Sequence, residues 1–192
     1  VSPTKPGYTA DKAKVEAVNN VTGDTADIVE TVVYSPETQK LTYTVIDDTT
    51  NTTLEDKKDL ASGDSNSEVK PETQTTYDNI VASYEAKGYE VVTKEDLPEK
   101  FDTDTTVDQN VTIHLKHKTE VTQESKKVKQ TINYVYKDNN PSEPAFPTVE
   151  RELEFTRENT KDLVTNVVTN GQWTPANGTS FGEVVSPTKP GY

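Results

Sequence analysis

The chain has 192 residues, 30% of them apolar, with 20 basic and 33 acidic side chains for a net charge of −13. That negative field opposes nucleic acid and anionic lipid as partners, and the absence of Cys excludes disulfides, thiolate catalysis and zinc–thiolate sites together. So low an apolar share suits small modules with long loops better than one large core, because small modules bury a lower fraction of their surface. Recurring strand alternation argues against disorder over most of the chain. No apolar run reaches the roughly 18 residues of a spanning helix, and no signal peptide is visible. In a repeat cut from a longer protein, neither absence speaks to location.

Residues 1–8, Val-Ser-Pro-Thr-Lys-Pro-Gly-Tyr, recur as residues 185–192, at an offset of 185 − 1 = 184. An identity of that length reads as one period of a tandem array, cut just inside the next copy. Large tethered repeats suit reach and many weak contacts, because tethered sites rebind at high effective concentration. Between Ala10 and Val18 the Ala, Lys and Glu content supports a short helix as an alternative to extended chain. Val29, Val32, Val33 and Tyr34 then read as a strand that should pair in a sheet.

Residues 41–46 alternate, with Leu41, Tyr43 and Val45 on one face, and read as a strand. Residues 47–53 are a turn, residues 54–60 a returning strand, and residues 61–75 a polar loop. A helix is expected over residues 76–87. Tyr77, Ile80, Val81 and Tyr84 form one stripe, Thr75 and Asp78 resemble a capping box, and Gly88 suits the stop. A short strand at residues 89–92 and a longer one at residues 111–116 follow. The order hairpin, helix, strand, strand is that of the β-grasp (ubiquitin-like) fold.

The pattern then starts again. Val128, Ile132, Tyr134 and Tyr136 mark a strand, residues 138–147 a turn holding three prolines, and Val149, Leu153 and Phe155 a returning strand. Residues 163–168 read as another strand. No closing strand follows. The segment that resembles one is at the other end: Gly7-Tyr8 precedes Asp27 by 19 residues, as Gly88-Tyr89 precedes Asp108, and a Val-rich stretch follows each time. Residues 1–40 are therefore expected to be the closing half of a second-type module, displaced by the repeat cut. The competing reading places them with the first module, residues 41–118. Residues 119–184 form the opening half of the second module and residues 185–192 the start of the next repeat. The expected class is α+β, mostly β: two β-grasp modules end to end, elongated.

Several motifs carry a family resemblance. Leu41-Thr42-Tyr43-Thr44-Val45-Ile46-Asp47-Asp48, Tyr84-Glu85-Ala86-Lys87-Gly88-Tyr89 and Val111-Thr112-Ile113-His114-Leu115-Lys116-His117 resemble the first module of repeats in lactobacillus mucus-binding (Mub) adhesins. Thr131-Ile132-Asn133-Tyr134-Val135-Tyr136, Phe155-Thr156-Arg157, Gln172-Trp173-Thr174-Pro175 and the terminal octapeptide resemble the second. The resemblance covers essentially the whole chain. It implies β-grasp-like modules in an extracellular, cell-wall-anchored bacterial surface protein whose repeats adhere to host mucin glycoproteins. It brings no catalytic motif and no residue-level binding signature.

The residues themselves point away from an enzyme. No Gly-x-Ser-x-Gly elbow or phosphate loop is present, and no cofactor is expected. His114 and His117 fall on opposite faces of a strand, which opposes a shared metal site. Asp102, Asp104 and Asp108 partly mimic a calcium loop without its turn glycine or distal Glu, so a solvated acidic loop is the better reading. Candidate ligand-binding residues are Lys116, His117, Lys118, Lys126, Lys127 and Lys129, a local charge reversal suited to sialic acid or sulfate at glycan ends. A solvated linker with ordinary lysines is the better reading of that run. Trp173, the single tryptophan, suits sugar stacking, although a lone Trp in a small β module favours the core. The expected partners are host mucin glycoproteins and adjacent repeats, with immunoglobulin or another host protein as the alternative ligand and a ligand-free spacer as the competing function.

Overall fold

A computed structural model describes all residues from Val1 to Tyr192. The chain folds as two units, residues 1–118 and 119–192.

The first unit is built on a four-stranded sheet and one helix. Its strands are β3 (Thr38–Asp47), β4 (Thr52–Asp64), β5 (Tyr89–Lys94) and β6 (Gln109–His117), in the order β4-β3-β6-β5. β3 and β6 run parallel in the centre, and the hairpin partners β4 and β5 flank them antiparallel. This is the β-grasp arrangement. Period-two alternation brings Leu41, Tyr43 and Val45 of β3 alongside Val111, Ile113 and Leu115 of β6, all buried on one face. The helix α1 (Pro71–Glu85) covers that face with Tyr77, Val81 and Tyr84. Each such side chain contributes about 1.5–3 kcal/mol when fully buried.

Helix and sheet are also locked by polar groups. Tyr43 Oη of β3 and Tyr84 Oη of α1 both donate to the Glu55 carboxylate of β4, each at 2.6 Å. Burial and the neighbouring carboxylate push the Tyr43 hydroxyl up to about 12 and raise Tyr84 as well. Burial alone would raise Glu55, but the two phenols and nearby Lys58 and Lys87 hold it below its ordinary value.

The helix departs from expectation at its start. It begins at Pro71, with Lys70 as the cap residue and no side-chain cap bond, so Thr75 and Asp78 lie inside it and form no capping box. Proline at the first helical position needs no N–H partner, which sets the earlier start. The expected loop at residues 61–75 is shortened from both sides, because β4 runs on to Asp64. As an edge strand facing solvent, β4 lacks the apolar alternation that would announce it.

Two short strands, β1 (Tyr8–Ala10) and β2 (Tyr34–Pro36), pair antiparallel ahead of this sheet. They lie with the first unit: Glu37 N–H donates to the Gly7 carbonyl, Ser65 N–H to the Glu37 carbonyl, and Tyr8 Oη to the Ser65 carbonyl. The short helix considered between Ala10 and Val18 is not formed. Of the strand expected up to Tyr34, only Tyr34 lies in a paired strand, with the Val33 carbonyl accepting the Asp11 amide at 2.9 Å just before it; Val29 is 85% exposed.

The second unit is a long hairpin, β7 (Thr119–Tyr134) and β8 (Phe146–Asp162), with two short strands, β9 (Val168–Asn170) and β10 (Thr174–Pro175), both on the far edge of β8. Most of residues 163–168 are not the strand that was expected. Asp162 Oδ1 accepts the amides of Val164 and Thr165 at 2.8 and 3.0 Å, and Asn166 takes φ of 60°, so a side-chain-capped turn replaces extended backbone. The buried apolar side chains of this unit are Tyr136 and Leu153.

Candidate functional site

The β7–β8 ladder sorts the candidate residues by face. Residues directly opposed across two strands point the same way. Gln123, Lys127 and Lys129 oppose Glu158, Glu154 and Glu152, so these six share one face. Glu124, Lys126 and Val128 oppose Arg157, Phe155 and Leu153 on the other. Lys126 is thereby separated from Lys127 and Lys129, its neighbours in sequence.

The first of these faces is open and polar. Lys127 Nζ and Lys129 Nζ both reach Glu152, at 2.9 and 3.1 Å. Their hydrogen bonds hold the Glu152 carboxyl low, and Glu152 in turn raises Lys127. The charges are paired, so this is a mixed surface and no bare cationic patch. Beside it lies an open cleft of about 500 Å³ whose lining includes Gln123, Thr156, Glu158, Thr160, Gln172 and Thr174. Gln123 Nε2 donates to Glu158 at 2.6 Å, and Thr174 Oγ1 donates to the Thr156 carbonyl at 3.0 Å. Such a lining offers hydroxyl, amide and carboxylate groups to a hydroxyl-rich ligand and little to an apolar one.

The opposite face is partly closed. The Arg157 guanidinium lies 4.5 Å from the Trp173 ring centre. Glu124 accepts from Arg157 and from Asn159 Nδ2, each at 2.8 Å, and these bonds hold its carboxyl low. Trp173 is half-buried, with the Arg157 guanidinium against its ring. Gln172 and Thr174 flank it in sequence and line the cleft on the first face.

In the first unit Lys116 is exposed and pairs with Glu90 at 2.9 Å, and Lys118 is exposed. His117 is different: its side chain is 6% exposed, its Nε2 lies 3.0 Å from Asp47 Oδ2, and its ring meets Tyr89 edge-on at 5.4 Å. It is a buried structural group. His114 has its own partner, Asp48, at 2.8 Å, so each histidine is bound to a separate aspartate. Asp102 and Asp104 turn inward on their own loop, Asp102 Oδ1 accepting the Asp104 amide and Asp104 Oδ1 the Thr106 amide and hydroxyl.

The first unit also has an open cleft, of about 620 Å³, whose lining includes Lys94, Glu95, Asp96, Gln109 and Asn110. Neither Gln109 nor Asn110 is a binding candidate by sequence, Asn110 standing out only as the first residue of a formal Asn-Val-Thr acceptor. Short polar residues at the start of a strand carry no pattern of their own, and their grouping with residues 94–96 appears only once β5 and β6 pair.

Two family models match the chain: the Muc B2-like domain over residues 1–38 and 119–192, and the mucin binding domain over residues 39–117. No curated protein matches. Among solved structures, the crystal structure of Mub-RV is similar at 29% identity, over 80% of this chain and 84% of that one, with a TM-score of 0.64. The type 2 repeat of the mucus binding protein MUB from Lactobacillus reuteri is 28% identical over the same shares, with a TM-score of 0.48.

Proposed function

Since the chain belongs to the Muc B2-like domain family and carries a mucin binding domain within it, we propose that it is a non-catalytic adhesion repeat of a bacterial surface protein that binds mucus glycoproteins through their glycans. The observation that carries this reading is the match to the mucin binding domain over residues 39–117. The likeness to Mub-RV over 80% of the chain supports it.

Two open polar clefts, one in each unit, suit sugars. The mucin binding domain match lies in the first unit, and the contact surface we favour beside it is the open face of the second, Muc B2-like unit, with Lys127 and Lys129 beside the cleft lined by Gln172 and Thr174. The lysines are already paired to Glu152, so an acidic sugar must compete for them. In the cleft a neutral hydroxyl competes only with hydrogen bonds such as Gln123–Glu158 and Thr174–Thr156, of which neither is a salt bridge. The expected ligand is therefore the body of an O-glycan, with a smaller contribution from an acidic terminus. Lys116, Lys118 and Lys126 add general positive charge, and His117 and Trp173 hold the fold.

The test is retention of the chain on immobilised mucin before and after treatment. O-glycan removal should abolish retention and sialidase should reduce it only in part. Gln172→Ala combined with Thr174→Val should weaken retention, and Trp173→Phe should leave it nearly unchanged. Retention that survives O-glycan removal would refute glycan recognition. Loss on deglycosylation with no effect of the cleft changes would move the site to the first unit.

A further inference from the structure

The sheet of the second unit is open on one side. β7 pairs with β8 along its length, β9 and β10 both attach to β8, and no strand lies along the other edge of β7. A sixteen-residue edge of this kind presents a row of unpaired backbone groups, which proteins normally cover. The unit is also short of core, since its buried apolar side chains are Tyr136 and Leu153.

Residues 9–38 are in the complementary condition. Val15, Val18, Val21, Ile28, Val29 and Val33 are between 44 and 85% exposed. Part of this segment already has the shape of a module's closing half. In β1–β2, Tyr8 pairs with Pro36 and Ala10 with Tyr34. In β5–β6, Tyr89 pairs with His117 and Val91 with Leu115. The two ladders have one register, since 36 − 8 and 117 − 89 are both 28, and 34 − 10 and 115 − 91 are both 24. A glycine at positive φ precedes each, Gly7 at 73° and Gly88 at 96°. Residues 28–36 thus correspond to β6. In the first unit β6 uses its second edge to pair in parallel with β3, the opening strand of the hairpin. The opening strand of the second unit's hairpin is β7.

The other observations agree on the source of the missing strand. The Muc B2-like domain takes residues 1–38 together with 119–192 and skips everything between. Residues 185–192 repeat residues 1–8 and are seated on the second unit, with Lys189 Nζ 4.6 Å from the Tyr136 ring centre and the Tyr192 ring 5.1 Å from it. A copy continuing from Tyr192 therefore begins its residue 9 beside this unit.

We propose that residues 9–38 of a second copy of this chain, following Tyr192, complete the second unit by adding residues 28–36 as a strand parallel to β7. Each copy then lends its first 38 residues to the copy before it, and neighbouring repeats are joined by a shared sheet instead of a flexible linker.

The test appends residues 9–38 after Tyr192 of the full chain and follows hydrogen exchange in β7 at low protein concentration. The β7 amides that do not bond β8 should slow by about tenfold or more. A matched variant with Val29→Asp, Val32→Asp and Val33→Asp in the appended copy only should return them to the rate of the unextended chain. Unchanged β7 exchange, or slowing that survives the Asp changes, would overturn the proposal. Neither readout involves mucin, so the outcome is independent of the ligand reading.

Discussion

Asp47 closes the end of the first unit's hairpin. Its buried carboxylate accepts from the Thr49 amide at 2.9 Å, the Thr50 hydroxyl at 2.7 Å and the His117 ring at 3.0 Å, so one side chain ties the β3–β4 turn to the end of β6. Burial alone would raise this carboxyl, but the bonds from Thr50, Thr49 and His117 outweigh it and hold Asp47 below its ordinary 3.8. Asp47→Ala leaves those donors without an acceptor and should cost about 1–3 kcal/mol in urea unfolding. Glu55 is likewise held below its ordinary 4.5. Both carboxyls have lower values folded than unfolded, so their contribution is full above about pH 4.5 and is lost as pH falls through the depressed values. Acid titration monitored by circular dichroism should show this as unfolding of the first unit starting below pH 4, weakened in Asp47→Asn. Tyr43 has the opposite sign: its value is raised to about 12, so its contribution is present below pH 10 and lost as pH climbs towards 12. Phenolate absorbance from folded Tyr43 should therefore appear near pH 12 and not near pH 10.

At the scale of elements, the apolar stripe and the alternation decided the outcome. Tyr77, Val81 and Tyr84 of α1 and the Leu41-Tyr43-Val45 and Val111-Ile113-Leu115 rows were legible in the sequence because each lies over a buried face, where period and burial coincide. The misses share one cause. The end of β4, the start of α1 and the turn after Asp162 are exposed or are set by proline and by side-chain caps, so apolar period carries no signal there. The packing of Gly63 was equally silent. A Cβ at Gly63 would sit 2.4 Å from the Phe101 ring, which is 3% exposed, so the ring rests directly on the β4 backbone. Gly63→Ala must displace a buried aromatic and should cost roughly 1–3 kcal/mol, read as a lowered Tm of the first unit. Tyr84→Phe removes one of the two phenols that hold Glu55 and should cost roughly 1.5–3 kcal/mol, because the lost bond is to a charged acceptor.

For the whole molecule, the first unit carries its own core, while residues 1–36 join it mainly through the bonds of Gly7 and Tyr8. Deleting residues 1–36 should leave the sheet of β3 to β6 and its helix folded, with one cooperative transition retained in calorimetry. Loss of that transition would mean that the segment is integral to the first unit. The two-module plan was legible in the sequence because two hairpins announce themselves with separate apolar rows. The candidate surface was legible only in part. A charge run in sequence, Lys126-Lys127-Val128-Lys129, becomes two surfaces once a strand alternates, and the carboxylate that pairs with Lys127 and Lys129 comes from β8, 23 to 25 positions away. Neither the pairing nor the cleft beside Gln172 and Thr174 can be seen before the hairpin is in register. The measurement that bears most directly on glycan recognition is amide NMR of the intact chain titrated with O-glycans released from mucin. The account predicts saturable shifts at Gln123, Lys127, Lys129, Thr156, Gln172 and Thr174, with the Trp173 indole little changed. A spectrum in which no resonance moves at high glycan concentration would contradict it.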